Sequence, residues 1–113
     1  MTATQHPTMV ISMNTFTPAT GGIDALTEFQ LAEMREMAAA ATEQGWLGNE
    51  VYLANDGSAL IVITRFRSEA DRSRWAATER FRRHVAELEP LLADIRATPV
   101  TFLAANGSPL RRK

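Results

Sequence analysis

Residues 60–88 read LIVITRFRSEADRSRWAATERFRRHVAEL, and the fold turns on how they divide. Leu60–Phe66 is rich in β-branched and aromatic residues. Leu60, Val62, Thr64 and Phe66 fall on one side, and Ile61, Ile63 and Arg65 on the other. A strand with one wet face alternates apolar and polar residues, so a run apolar on both sides is covered on both. At Ser68 the pattern changes. A serine with Asp71 three positions on reads as a helix N-cap with an acidic partner. The helical region that follows carries Trp75, Phe81, His84 and Val85. At about 100° per residue, a continuous helix places Phe81 and His84 on one face and Trp75 to one side. A break near Thr78 would release that constraint.

Upstream, Thr8–Phe16 predicts a first strand, with Met9, Ile11 and Met13 on one face and Val10, Ser12, Asn14 and Phe16 on the other. Pro18–Gly22 is a turn. Asp24 to about Glu43 is an Ala-rich helix stopped by Gly45, with Ile23, Leu26, Met34, Met37, Ala38 and Ala41 inward and Gln30 the polar residue among them. Gly45–Gly48 leads into a second strand at Leu47–Ala54, and Asn55–Ser58 signals a hairpin into a third at Ala59–Phe66. Downstream, the helical region ends at or before Pro90, Leu91–Ile95 adds a turn or two, and Pro99–Ala104 is the last strand. Residues 1–7 read as a flexible lead-in, 8–105 as the domain, and 106–113 as a short basic tail.

Strand, helix, strand, strand, helix, strand is the order of an α+β, ferredoxin-like βαββαβ domain with a four-stranded antiparallel sheet. Two helices cover one face of such a sheet. The opposite face, with Met9, Ile11, Met13 and one side of the third strand, is too apolar for water. A second copy of the same sheet is the simplest cover, which predicts a homodimer.

Composition narrows the function classes. The 113 residues suit one domain with its own core, and 45% hydrophobic and 22% charged residues are ordinary for a globular chain. A net charge of -1 gives no general attraction to nucleic acid or anionic membrane. Seven arginines between Arg65 and Arg83 read first as the solvated side of the second helical region and only second as an anion patch. The lack of cysteine excludes disulfides and thiolate metal sites. With two histidines, one of them near the N-terminus, no closed metal site is predicted. There is neither a membrane-length apolar run nor a signal-peptide pattern, so a cytoplasmic protein is expected. Phosphate loops, dinucleotide fingerprints and a nucleophile triad are absent from the sequence.

What remains is an apolar cavity between sheet and helices with few polar groups. Its predicted walls are Val10, Asn14, Phe16, Gln30, Met34, Val62, Phe66, Trp75, Phe81 and His84. Asn14 either bonds backbone at the strand end or addresses a ligand oxygen. His84 is either a histidine tied to backbone or a base, since imidazole changes charge near neutral pH. Trp75 serves as core or as cavity wall. Trp46 reads as turn packing.

These residues carry a resemblance. A strand ending Asn14-x-Phe16, Gly-Trp-Leu-Gly at 45–48, the Asp56-Gly57 hairpin, Phe66 followed by Arg-Ser-Glu-Ala, and the helix with Trp75, Phe81 and His84 are together similar to the antibiotic biosynthesis monooxygenase family. The resemblance spans roughly residues 9–104 and implies a dimeric α/β barrel. One branch of that family oxidises anthrone-like polyketides to quinones without cofactor, the deprotonated substrate itself reducing oxygen. By that likeness the chain is a cofactor-free monooxygenase of polycyclic aromatics in secondary metabolism, with molecular oxygen as co-substrate. Asn14, Trp75 and His84 are then catalytic, and Val10, Phe16, Gln30, Met34, Val62, Phe66 and Phe81 contact substrate. The chain departs from that branch on its third strand, where Val62 and Phe66 replace an Asn and a Trp. A second branch degrades haem with a strand-one Asn, a helix Trp and an iron-ligating His, positions matched by Asn14, Trp75 and His84. A non-catalytic binder or cyclase-like protein of the same fold is the third possibility.

Overall fold

The computed structural model describes residues 9–107. The lead-in with His6, the start of the first expected strand at Thr8, and all but the first two residues of the expected tail lie outside that range. The elements run β1 (Val10–Pro18), α1 (Ile23–Glu43), β2 (Trp46–Leu53), β3 (Leu60–Phe66), α2 (Glu69–Ala76), α3 (Glu79–Leu88), a 3-10 turn (Glu89–Leu91) and β4 (Leu92–Val100). The sheet is open and antiparallel, ordered β2-β3-β1-β4. This is the ferredoxin-like arrangement, with the helices on one face. Among the described residues, no helix is long and apolar enough to cross a membrane.

The helical region after β3 is two helices. Ser68 Oγ accepts from Asp71 N at 3.1 Å and caps α2. Thr78 then ends one helix and starts the next. Its Oγ1 donates to Trp75 O at 2.7 Å and accepts from Phe81 N at 3.2 Å, so it caps α3. Trp75 and Phe81 thus stand on either side of a joint, with ring centroids 5.9 Å apart.

Two close approaches fix the end of α1 against this region. Gly45 has φ +98°, and a Cβ there would lie 2.6 Å from Asp71 Cγ. Gly45 O also accepts from Arg67 N at 2.8 Å. Asp71 is held in place by Arg67 Nε at 2.7 Å and by Arg74. The Arg67 bond foremost, with Arg74 adding to it, keeps the Asp71 carboxyl below the usual carboxylate range. The arginine cluster is largely paired in this way. Arg65 meets Glu50, Arg72 meets Glu69, and Arg80 meets Glu33.

The last strand differs from the sequence expectation. β4 begins at Leu92 and ends at Val100, so Leu91–Ile95 adds no α-helical turn and residues 101–104 form no strand. LLADIRA has helical propensity, but Leu92–Val100 pairs with β1, and the ladder outweighs propensity. Pro99 is accommodated because β4 is an edge strand. β1 runs two residues further than expected, ending at Pro18 beside a bulge.

The core is in two clusters. Phe16, Leu26, Leu60, Val62 and Leu88 pack at one end of the β1/β3 ladder, where Phe16 faces Leu60. Ala41, Phe66 and Trp75 pack at the other, where Val10 faces Phe66. The stretch of sheet between them is roofed but not filled.

Candidate functional site

Between the two clusters lies a cavity of about 410 Å³, within the roughly 300–1,000 Å³ typical of small-molecule sites. Its floor is the helix-facing side of all four strands, and its roof comes from α1, α2 and α3. Asn14, Phe16, Gln30, Met34, Val62, Phe66, Trp75, Phe81 and His84 all line it. Val10 does not; it packs into the Ala41–Phe66–Trp75 cluster instead. Trp75 is buried, so it serves as core and wall together.

His84 is the chemical centre of the roof. Its ring stacks on Phe29 with centroids 5.5 Å apart and planes 12° apart, and Phe81 leans on it at 5.9 Å. Nδ1 lies 2.9 Å from Oε1 of Glu33 on α1. A carboxylate only accepts, so Nδ1 carries the proton and Nε2 is left as the basic nitrogen. Among the described residues, Nε2 has no hydrogen-bond partner.

Glu33 is itself held. Arg80 donates to it through both terminal nitrogens, at 3.1 Å to Oε1 and 2.9 Å to Oε2. These bonds, and then the bond from His84, hold the Glu33 carboxyl below its ordinary range, against the opposing effect of burial. Glu33 is 7% exposed and His84 6%. The result is an Arg80–Glu33–His84 relay inside the fold, with an ionised carboxylate behind the imidazole.

On the floor, Ser12 Oγ donates to Asn14 Oδ1 at 3.2 Å, which turns the Asn14 amide away from mere strand-end bonding. Asn14 therefore retains an N–H2 group to offer a ligand oxygen. Trp46 is not simple turn packing. It lines the cavity, and its Nε1 donates to Thr64 Oγ1 at 3.1 Å. Asn49 of β2 lines it too. Glu33, Arg80, Trp46 and Asn49 were not among the predicted site residues. Among the described residues, no cluster of three or more His, Cys, Asp or Glu side chains stands close enough to hold a metal ion.

The antibiotic biosynthesis monooxygenase family profile matches residues 9–87, most of the chain and nearly all of this site. The chain belongs to the antibiotic biosynthesis monooxygenase family. Its fold recurs in solved structures. Rv0793 from Mycobacterium tuberculosis is 21% identical with a TM-score of 0.72, covering 88% of this chain and 99% of its own. PA3566 from Pseudomonas aeruginosa is 24% identical with a TM-score of 0.68, covering 89% and 100%. SnoaB, a cofactor-independent oxygenase from Streptomyces nogalater, is 20% identical with a TM-score of 0.70, covering 87% and 96%. No curated protein sequence matches the chain.

Proposed function

We propose that this family member is a cofactor-independent monooxygenase that oxidises a polycyclic aromatic, polyketide-type substrate, acting in the cytoplasm as a homodimer. The observation that carries the reading is the buried Arg80–Glu33–His84 relay, with its imidazole on the wall of an apolar cavity that also presents the Asn14 amide.

Oxygenation without cofactor requires the substrate to become the reductant. His84 Nε2 takes a proton from the activated CH2 of an anthrone-type ring, and Glu33 stabilises the imidazolium. Asn14 donates a hydrogen bond to the oxyanion as charge moves onto it. The resulting anion gives one electron to O2, the two radicals combine, and the new carbon–oxygen bond yields a peroxide. Loss of water, with the proton returned from His84, leaves a carbonyl: CH2 plus O2 becomes C=O plus H2O. The apolar walls keep bulk water from quenching the anion.

The Val62 and Phe66 departures bear on the third strand only, and they leave the base and Asn14 in place. Haem fits the wall less well than a neutral aromatic. The one arginine or lysine among the lining residues is Arg72, and it is bound through two nitrogens to Glu69 at 3.1 and 2.6 Å, leaving little for a propionate.

The test is an anthrone substrate with oxygen electrode and chelator present. Quinone should form in a one-to-one ratio with oxygen consumed, and His84→Ala should slow it by about 10²–10⁴. Rates equal in wild type and His84→Ala would end the reading. Haemin titration should leave the Soret band unshifted. Inertness toward anthrone, with tight binding of an aromatic, would instead identify a binding protein.

A further inference from the structure

The floor of the cavity carries a polar row across three strands. Asn49 on β2 pairs with Thr64 on β3, and Thr64 with Ser12 on β1. All three line the cavity. Thr64 accepts from Trp46, and Ser12 donates to Asn14. Asn49 is different. Its Oδ1 is shielded from solvent and, among the described residues, accepts no hydrogen bond. In the cavity roof, Gln30 on α1 is only 5% exposed, and its Oε1 is in the same condition.

A shielded amide oxygen without a donor destabilises the fold, so such groups are normally partnered. Two of the donors that line the cavity are already engaged. Trp46 Nε1 is bound to Thr64, and Arg72 to Glu69. A ligand that fills the cavity can supply the missing donors.

We propose that Asn49 and Gln30 determine specificity by accepting hydrogen bonds from hydroxyl groups of the bound aromatic, one from the floor and one from the roof. The cavity then selects a hydroxylated polycycle over the same ring system without hydroxyls. A site built to pair a hydroxyl rejects the analogue lacking it strongly, because its own polar groups are left unpaired. The proposal rests on the functional reading above only in taking a flat aromatic as the ligand, and it needs no turnover.

The experiment compares binding of 2,6-dihydroxyanthraquinone and unsubstituted anthraquinone by tryptophan fluorescence quenching. Wild type should bind the dihydroxy compound at least about tenfold tighter. Asn49→Leu and Gln30→Leu should each lose most of that preference while changing anthraquinone affinity less than about twofold. Circular dichroism checks that both fold, and Gln30→Leu, which removes an unpartnered group, should melt no lower than wild type. No preference in wild type, equal weakening of both ligands in the variants, or no binding of either compound would overturn the proposal. A preference that survives in a protein inert toward anthrone would sink the oxygenase reading and leave this one standing.

Discussion

Glu33 accepts three hydrogen bonds from two side chains, and it is the residue that makes His84 more than a packed ring. Glu33→Gln keeps the shape and removes the charge. Steady-state kinetics on the anthrone substrate should show a roughly tenfold or larger fall in kcat with KM little changed, because the carboxylate acts on the imidazolium that forms during reaction. A purely structural Glu33 would lower the folded fraction and leave kcat per folded molecule intact. The sequence held a signal for this residue. Leu26, Gln30, Glu33, Met37 and Ala41 follow helical spacing, so Glu33 is a charge on the inward stripe. Asn14 and His84 were legible from strand alternation and helix position. Asn49 was not. By strict alternation Trp46 and Asn49 face opposite ways, but a bulge between Trp46 and Gly48 shifts the register and brings both to the cavity side. Nothing in the spelling of GWLGN marks that extra residue except Gly48, at φ +134°.

At the level of elements, the junctions decide where the side chains land. The spacing of Trp75, Phe81 and His84 leaves open whether the helical region is continuous or breaks near Thr78, and the structure has the break. The two caps, Ser68 and Thr78, confirm two short helices. β4 was misplaced because its residues prefer helix locally and become a strand only through pairing with β1. The junction of α1 with β2 is the least tolerant. Gly45→Ala places a methyl group against an Asp71 carboxylate that two arginines hold still, at a backbone angle unfavourable to alanine. A cost of at least about 2 kcal/mol should lower the Tm by roughly 8 °C or more in a thermal melt.

For the molecule as a whole, the buried relay ties α1 to α3, and its strength depends on pH. The Glu33 carboxyl titrates lower in the folded chain than in the unfolded one. Its contribution is therefore complete above the ordinary carboxylate range and is lost as the pH falls through the lower, folded value. Melting wild type and Glu33→Gln side by side from about pH 6 to pH 3 should show their Tm difference shrinking at the acid end. The sheet face away from the helices carries Ile11, Met13, Ile61 and Ile63, with Tyr52 and Val100 partly exposed beside them. Sedimentation should accordingly give about twice the 12.5 kDa chain mass, and Ile63→Asp should give the single chain.

The polar row of Ser12, Thr64 and Asn49 is laid across the strands rather than along one. Its intervals are those of the backbone ladder, about 4.8 Å from one strand to the next. Substitutions on the row change what is read at each mark, while the ruler itself keeps its gauge. Fitting the floor to a differently decorated ring would take only an exchange of letters on that scale, without refolding the sheet beneath it.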